Sequence, residues 1–437
     1  MRRIKNLILL TLILLAAIDT VAQTRLTLHD AVERTLKNNF DIRIASIANE
    51  QAATNNTAGN AGFLPNINAG VAATESRTNV RSDLANGTQQ NNPKAINTNI
   101  NPAVTANWTL FDGGRMFVVK KQLSAIEALT AIQLKLQAQS SVSRTIQMYA
   151  QLVLLQRQMI AIDTALHLAR ARMELSEIKY QSGAGAKIDF LQAKVDYNAR
   201  RADSLSFISG YAQACDSMSV LMGEQEGAWY RVDETLPLNM NLKETGTSTL
   251  PDMNLSLAVY KHNKKIADLN ADIAKTYALP TLSVSGAYLY NRSSNATGFV
   301  LFSRNYGGNG TVNLSMPLFQ GGNIRRQAKV ASLQAMREEL LYERQNTIIK
   351  RQHRTARRNY EIAVQSWKLA TEDMKFAREN LDVQFARFKV GVGTTLESRE
   401  AENAYVQTLI RLYSSEYNVK LYETQVLELE NKLLSDN

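Results

Sequence analysis

Three carboxylates beside two glycine-containing turns are the residues of this chain whose types and spacing invite a chemical interpretation. Glu397 and Glu400 are three residues apart, so a helix would place both on one face. Asp189 follows the first turn at the position that corresponds to Glu397. Acidic residues in the first turn of a helix also complement its macrodipole, which requires no ligand. Spacing alone therefore leaves a ligand-directed and a purely structural interpretation open.

Other side chains that could support catalysis or metal binding are scattered along the chain. Cys215 is the only cysteine, so no intramolecular disulfide can form, and we expect it to be a buried small residue on a helix. The histidines lie far apart, without the spacing of metal ligands: His29, His167, His262 and His353. We therefore predict no catalytic residue, no cofactor, no metal site and no enzyme activity.

The N-terminus predicts export. Basic residues at the first positions precede an apolar run from Leu7 to Ala17 and a small residue at Ala22. This order is typical of a signal peptide, which we assign to residues 1–22. An uncleaved anchor helix is the alternative. No later segment approaches the roughly 18 unbroken apolar residues of a spanning helix, so a membrane span would have to consist of strands.

The chain has a net charge of +10, and its densest basic run extends from Lys350 to Arg358. Arg351, Arg354 and Arg358 share one helical face there. The run lies in the middle of a predicted helix of an exported chain and has no interleaved aromatic residues. We interpret it as a solvated face or a lumen lining, and we predict no nucleic-acid partner.

Self-comparison indicates an internal duplication. LFDGGR, Leu110 to Arg115, returns as LFQGGN, Leu318 to Asn323, 208 residues later. Other motifs match in the same order: Pro65 with Pro280, Gly183 with Gly391, and Gly185 with Gly393. The two glycine pairs have the same offset of 208 residues as the LFxGG pair, so chance is a poor explanation.

Each copy has the pattern helix, strand, strand, very long helix, tight turn, helix. Apolar and polar residues alternate after each Leu-Pro and before each LFxGG, which predicts a strand pair. The polar stretches between the paired strands, 79–101 and 291–310, are interpreted as long exposed loops. About 70 residues of helix at 1.5 Å each give roughly 105 Å, too long for a helix to bury its apolar stripe on itself. Coiled-coil partners are therefore expected.

We predict a first repeat over 23–222, an equatorial inter-repeat segment over 223–253 and a second repeat over 254–437. The first repeat is assigned a short helix, then strands at about 65–77 and 101–111, a long helix at 112–182, a tip turn at 183–186 and a helix at 187–222. The second is assigned a short helix, then strands at about 281–291 and 310–319, a long helix at 323–389, a tip turn at 390–394 and a helix at 395–434.

Four strands per chain cannot close a barrel. Open strand edges in lipid leave backbone groups unsatisfied, and about eight strands is the lower limit of a single-chain barrel. The chain must therefore pool strands with copies of itself, although hydrogen-bond accounting does not fix their number. We place the joints between barrel and helix at Pro65, Gly113, Gly114, Pro280, Gly321 and Gly322.

An exported chain with two copies of this pattern resembles the TolC family of outer-membrane efflux proteins over essentially its whole mature length. The resemblance implies an α+β membrane protein in which four strands per chain build a shared 12-stranded barrel of a homotrimer. Long α-helical coiled-coil hairpins would form a tube in the periplasm. It further implies a passive export duct in contact with outer-membrane lipid, coupled to a periplasmic adaptor and an inner-membrane pump or secretion ATPase.

The resemblance also implies roles for single residues. Glu397 and Glu400 match two aspartates that ring the constriction of the tube and select cations, and Asp189 is a third candidate gate acid. The candidate adaptor-docking tips are Gly183, Ala184, Gly185, Gly391, Val392 and Gly393. In the family, a Tyr and an Arg hold the closed tip by pairing with an acid that matches Asp189. Here Phe388 and Gly393 occupy those positions, so closure must be achieved in another way.

Two other functions stay open on the sequence. A type I protein-secretion duct differs from a drug or metal exporter only in substrate and pump, which the sequence does not specify. A non-conducting coiled-coil spacer of the envelope would use the same helices without a pore. A secreted enzyme is the least favoured, because no catalytic constellation is present.

Overall fold

A computed structural model describes residues 24–85, 87–224, 228–243, 246 and 250–434; the predicted signal peptide lies outside these residues. The chain divides into two compact units. The helical unit comprises Met1–Ile47, Ile132–Ala258 and Arg344–Asn437, and the sheet unit comprises Ala48–Ala131 and Val259–Glu343. In the described part of the chain, no helix combines the length and the apolar character required to cross a membrane.

The elements follow one another in the predicted order. The first repeat contains β1 (Thr24–Leu26), α1 (Leu28–Asn38), α2 (Phe40–Asn55), β2 (Asn66–Asp83), β3 (Gln89–Asp112), α3 (Arg115–Gln181) and α4 (Lys187–Leu221). Next come β4 (Tyr230–Val232) and α5 (Leu250–Met253). The second repeat contains α6 (Leu255–Thr276), β5 (Thr281–Ser294), β6 (Phe302–Ser315), α7 (Asn323–Lys389) and α8 (Thr395–Leu429).

The helix lengths reproduce the duplication. Helices α3 and α7 each have 67 residues, about 100 Å at 1.5 Å per residue, and the returning helices α4 and α8 each have 35. Helix α3 starts at Arg115 and not at 112, because Asp112 still belongs to a strand. Helix α4 ends at Leu221 instead of 222. Helix α8 ends at Leu429 instead of 434, since Asn431 adopts a positive φ of 54°, which a continuing helix excludes.

The four long strands form one antiparallel sheet in the order β2-β3-β5-β6. They extend well into the stretches 79–101 and 291–310, so the interpretation of those stretches as long loops is wrong. The strand predicted at 65–77 runs to Asp83, and the strand predicted at 101–111 already begins at Gln89. The strand predicted at 281–291 runs to Ser294. Asn, Gly and Ser are poor strand formers in isolation, but backbone pairing with a neighbouring strand overrides that preference.

The last strand ends earlier than predicted. We expected a strand over about 310–319, whereas β6 covers Phe302–Ser315. Its final residue pairs with Thr281, the first residue of β5, so no partner remains for later residues. Pro317 also lacks the backbone N–H that a ladder requires. In contrast, β3 has a neighbour on each side and reaches Asp112.

The core of the helical unit forms around a small parallel pair, β1 with β4. Buried side chains of α3 and α4 cover it, among them Tyr149, Tyr211 and Cys215. The Tyr211 hydroxyl donates to the Tyr230 carbonyl at 2.6 Å. The burial of Cys215 confirms the prediction for this residue. The inter-repeat segment thus supplies one strand of this core.

The basic run of α7 is divided between solvent and the core. Arg351, Arg354 and Arg358 are exposed, in agreement with a solvated face. His353 is 2% exposed, and its Nε2 lies 2.9 Å from Glu430 Oε1. Arg357 contacts the same oxygen at 2.7 Å. Part of the run therefore has a structural role at the end of α8.

Candidate functional site at the hairpin tips

Two tight turns connect the long helices to their returning helices, and they contain the predicted tip residues. Gly183 and Gly391 have φ values of 75° and 82°, in the left-handed region that glycine adopts without steric cost. The N–H of Val392 donates to the Arg387 carbonyl at 3.0 Å, so the turn satisfies a carbonyl that the helix end leaves free. Each long helix ends here because a glycine adopts the left-handed backbone conformation that a continuing helix excludes.

The second glycine of each turn permits a close approach. A Cβ at Gly185 would lie 3.0 Å from Lys179 Cβ, and one at Gly393 would lie 3.1 Å from the Phe388 backbone nitrogen. Both distances are shorter than ordinary van der Waals contacts. Ala184 and Val392, between the glycines, are exposed, and Val392 is 71% exposed. Each tip therefore presents small and apolar atoms around a tightly folded backbone.

Glu397 is a helix-capping residue. Thr394 Oγ1 accepts from the Glu397 N–H at 3.2 Å, and Glu397 Oε2 accepts from the Thr394 N–H at 2.8 Å, so the two residues form a capping box. Acceptance from the Thr394 backbone N–H is the main cause that lowers the pKa of Glu397 below its usual value. Glu397 thus stabilises the start of its helix, which is the structural role that its position in the sequence allowed, and its carboxylate remains ionised at neutral pH.

The other two candidate acids remain accessible. Glu400 and Asp189 are both exposed, and Asp189 lies in the first turn of α4. In the described part of the chain, neither carboxylate has a hydrogen-bond or ion-pair partner, and the structure does not bring Asp189 together with Glu397 or Glu400. All three residues lie within the first turns of helices that follow a tip. Their assignment to a constriction therefore depends on how several copies assemble.

A contact that sequence inspection missed links the two hairpins near their tips. Lys179, in the last turn of α3, donates from Nζ to the Phe388 carbonyl at 3.0 Å. The same Nζ lies 4.1 Å from the centroid of the Phe388 ring, which is a cation–π distance. Phe388 is 2% exposed. The only signal in the sequence was a cation in the last turn of a helix, which the macrodipole alone explains.

A buried ion cluster lies two helical turns farther from the first tip. Arg172 is 2% exposed, and its Nη2 lies 3.2 Å from Asp196 and 3.4 Å from Glu402. Arg172 Nε and Nη1 and Glu402 Oε1 have no hydrogen-bond partner. Burial raises the pKa of Glu402 to about 7, because the loss of hydration outweighs the neighbouring guanidinium. These ion pairs thus join three helices, α3, α4 and α8, although some of the polar atoms involved have no hydrogen-bond partner.

The predicted joint residues frame the sheet. Pro65 and Pro280 immediately precede β2 and β5, while Gly113 and Gly114 separate β3 from α3. Gly321 and Gly322 precede α7, but six residues after the end of β6. Asp112 Oδ1 accepts from the Met116 N–H at 3.0 Å and so caps α3.

Comparison with known proteins gives a family and a fold. The family model described as outer membrane efflux protein matches residues 31–224 and 248–430. No curated protein sequence matches the chain. The fold is similar to that of a membrane protein from Pseudomonas aeruginosa, with a TM-score of 0.78 and 17% identity over 92% of this chain and 93% of that one.

Two further solved structures are similar. The CmeC outer membrane channel of Campylobacter jejuni has a TM-score of 0.76 and 18% identity over 93% of this chain and 85% of that one. The outer membrane protein VceC from Vibrio cholerae has a TM-score of 0.73 and 16% identity over 92% and 95%. At these identities the likeness shows the fold, while the family model covers both repeats. The chain therefore belongs to the outer membrane efflux protein family, and its location is the outer membrane with an extension into the periplasm.

Proposed function

We propose that three copies of this chain form a passive outer-membrane export duct of a tripartite efflux or secretion system. The observation that carries the proposal is the open four-stranded sheet of an outer-membrane protein. Among the residues that the structure describes, each of its outer strands, β2 and β6, lacks a neighbour on one side. Lipid cannot satisfy those backbone groups, whereas pairing β2 of one copy with β6 of the next closes every edge.

The long helices support assembly with further copies. Apolar residues repeat every seven positions along α7 and are 51–64% exposed: Ile362, Leu369, Phe376 and Val383. A heptad repeat of exposed apolar residues is the pattern that packs against another helix in a coiled coil. Such packing between copies would extend the barrel as a helical tube. Twelve strands and twelve long or returning helices follow from three chains.

The tips support docking of a periplasmic adaptor, through which an inner-membrane pump or secretion ATPase would supply the energy. Ile188 and Val390 are each 74% exposed beside the glycine turns, and Val392 is 71% exposed. Exposed apolar side chains on a rigid, tightly folded turn favour a protein partner over solvent. Gly183, Ala184, Gly185, Gly391 and Gly393 would let that partner approach the backbone closely. A type I secretion duct would use the same surface.

The Lys179–Phe388 contact supports a closed resting state of the tips. It joins the ends of α3 and α7 within one chain through Phe388, the position where the family pattern has a tyrosine, while Gly393 replaces the arginine of that pattern. An ammonium group that binds both a carbonyl and a ring can replace that arrangement without an acid. Opening of the duct would then require each chain to break this contact.

Oligomeric state and conductance, measured on one sample, test the proposal. We expect the full mature chain, purified in detergent, to have the mass of a trimer and to conduct ions in planar bilayers. A non-conducting trimer would favour the envelope spacer, and a monomer would contradict the shared barrel. Because trimer mass and conductance are read separately, assembly and pore function can be distinguished.

Replacing both Glu397 and Glu400 by Gln is expected to reduce the cation-to-anion permeability ratio about fivefold. One charge at 4 Å in water contributes about 1 kcal/mol, and three copies would stack these acids as two rings. Glutamine can still form the capping box with Thr394, so the helix start is retained. Bilayer reversal potentials in a salt gradient provide the measurement. Glu379→Gln, on an exposed position of α7, is the control, and unchanged selectivity of the double variant would exclude the acidic rings.

A further inference from the structure

The second β-hairpin carries two arginines directly opposite each other near its loop. The register of β5 and β6 pairs Arg292 with Arg304, and both residues are exposed. Opposite residues of an antiparallel pair project from the same face at close distance, where like charges destabilise the sheet. Within the described residues, neither guanidinium has a carboxylate partner at ion-pair distance. An anion from outside the chain would therefore relieve the repulsion between the two guanidinium groups.

The arginine pair stands on the apolar face of the sheet. Cross-strand pairs follow one another along this face from the helix end toward the loop: Val284 with Val312, Tyr290 with Tyr306, and Arg292 with Arg304. Trp108 is opposite Val284 on the other side, and it marks the helix end of the face.

The apolar face is nearly as tall as a membrane band. Tyr290 lies eight residues beyond Leu282, which pairs with Leu314, so the face extends about 27 Å along the strand and about 21 Å along the axis of a barrel whose strands tilt by about 40°. Outer-membrane barrels expose an apolar band about 25 Å tall, bounded on both sides by aromatic girdles. Arg292 and Arg304 lie one step outside the tyrosines. They thus reach the level of the lipid headgroups in the outer leaflet.

Apolar groups also border the arginines on the loop side. The Arg292 guanidinium lies 5.6 Å from the centroid of the Phe302 ring, which is 55% exposed. Phe299, Val300 and Leu301 of the adjoining loop are at least 56% exposed. A free phosphate ion needs no apolar border, whereas a lipid with its anionic headgroup at the guanidinium groups would place its acyl chains against Tyr290 and Tyr306, on the membrane side of the arginines. The border therefore favours a lipid over a free ion.

Hydrogen bonds hold that loop in one conformation. The N–H of Asn295 donates to the Leu301 carbonyl at 2.8 Å, and its side-chain amide donates to the Val300 carbonyl at 3.1 Å. The N–H of Ala296 donates to Asn97 Oδ1 at 3.1 Å, which fastens the loop to β3. The backbone of the loop is therefore ordered before any binding, which lowers the entropic cost of a ligand.

We propose that Arg292 and Arg304 bind a phosphate group of a phosphorylated lipid in the outer leaflet, with Tyr290 and Tyr306 against its acyl chains and Phe302 beside the guanidinium group of Arg292. Paired guanidinium groups match phosphate oxygens in charge and in hydrogen-bond geometry. The site depends on the outer-membrane location of the family. It requires neither adaptor docking nor conduction.

Lipid A binding to the purified full chain in detergent, followed by native mass spectrometry, tests the site. We expect Arg292→Gln/Arg304→Gln to weaken binding of phosphorylated lipid A roughly thirtyfold, because each arginine near a membrane surface contributes about 1 kcal/mol. Dephosphorylated lipid A should bind the unchanged chain as weakly as the double variant binds the phosphorylated form. Arg292→Lys/Arg304→Lys should bind with an affinity between those of the unchanged chain and the Gln variant, since lysine keeps the charge but loses the planar hydrogen-bond geometry.

An arginine with a partner of its own serves as the control. Arg77 lies on the same face of the sheet and pairs with Glu75 at 2.9 Å, so Arg77→Gln should leave lipid A binding unchanged. Equal binding by the double variant would overturn the proposal, as would full competition by millimolar inorganic phosphate, which would indicate a free-anion site. Removal of two opposed like charges should not disturb folding. If the double variant does not assemble, the single variant Arg304→Gln gives the same comparison. Conductance should stay unchanged, which separates this site from the export function.

Discussion

Replacing Lys179 by Met should raise the resting conductance of the duct about tenfold or more. The ammonium group donates a hydrogen bond to the Phe388 carbonyl and lies over the Phe388 ring, and the variant loses both contacts. A hydrogen bond from a charged group contributes about 1.5–3 kcal/mol, and 1.4 kcal/mol shifts a two-state equilibrium about tenfold. Single-channel recordings in planar bilayers give the open fraction directly. Methionine preserves the length of the side chain, so packing beside Gly185 changes little.

The control for this experiment is a lysine at the same tip without such a contact. Lys187 is exposed at the start of α4, so Lys187→Met removes an equal charge near the tip. Lys179→Arg should stay closed, since a guanidinium can bind the carbonyl and the ring. If Lys187→Met opens the duct as much as Lys179→Met does, the effect is one of net charge and not of the contact. An unchanged closed fraction in Lys179→Met would show that closure depends on other groups.

Replacing Arg172 by Met should destabilise the part of the hairpin around it by about 3–5 kcal/mol at pH 8, the range measured when one partner of a buried ion pair is removed. Arg172 is 2% exposed and lies between Asp196 and Glu402, which would become unpaired. Hydrogen exchange of amides in α3, α4 and α8 measures this loss locally. Arg170→Met is the control, because solvent screens its exposed pair with Glu174, which therefore contributes little to stability.

The pH dependence identifies the group responsible. The pKa of Glu402 in the folded chain is about 7, above its usual 4.5, so the folded state binds this proton more tightly. Its contribution to stability is complete below pH 4.5 and is lost as the pH rises through about 7. The positive charges of Arg172 and Arg200 lower the pKa of Glu402, whereas the negative charge of Asp196 raises it. Arg399 lies 4.0 Å from Asp196. The cost of Arg172→Met should therefore be smaller at pH 5.5 than at pH 8.

A second substitution separates charge from packing. Arg172→Met/Glu402→Leu removes both charges, and apolar replacement of a buried ion pair is often neutral or stabilising. We expect this double variant to regain most of the lost protection and to lose the dependence on pH between 5.5 and 8. If it remains as unstable as Arg172→Met, the cluster contributes through shape and not through charge.

The sequence alone predicted those features of the fold that repeat or that follow a strong period. The 208-residue offset between LFDGGR and LFQGGN already required two equivalent units, and helices α3 and α7 have equal lengths of 67 residues. Glycines at 183 and 391 fixed where the long helices stop, because their backbone angles exclude other residues. Local chemistry determined these features, so no tertiary information was needed.

Strand ends were predicted poorly for a physical reason. Asn, Gln and Ser make up nine of the 22 residues between Thr78 and Asn101, and Asn in particular is depleted in strands. They pair nevertheless, since Asp83 lies opposite Gln89 across a short turn. Conversely, the apolar residues Leu318 and Phe319 lie outside β6, because no partner strand continues beside them. Pairing partners decide the length of a strand, and a single sequence does not reveal them.

In the candidate site, too, local features could be predicted from the sequence, whereas contacts between distant residues could not. Spacing correctly placed Glu397 on a helix start, and the structure adds that its carboxylate caps that helix. The contact between Lys179 and Phe388 joins residues 209 positions apart, and that between Arg172 and Glu402 joins more distant ones. The opposition of Arg292 and Arg304 depends on register. The assignment of the acids to a constriction remains a prediction, since it concerns several copies.

The order of strands in the sheet constrains how the chain can fold after export. The central contact pairs Asp112 with Thr281 and Thr98 with Ser294, so it has a high contact order. The hairpin β2–β3 enters the periplasm first, with one long edge that no later residue can yet cover. Exposed strand edges promote aggregation during such an interval. The topology therefore requires that this edge be protected until β5 arrives, for example by a chaperone, or that β5 arrive quickly.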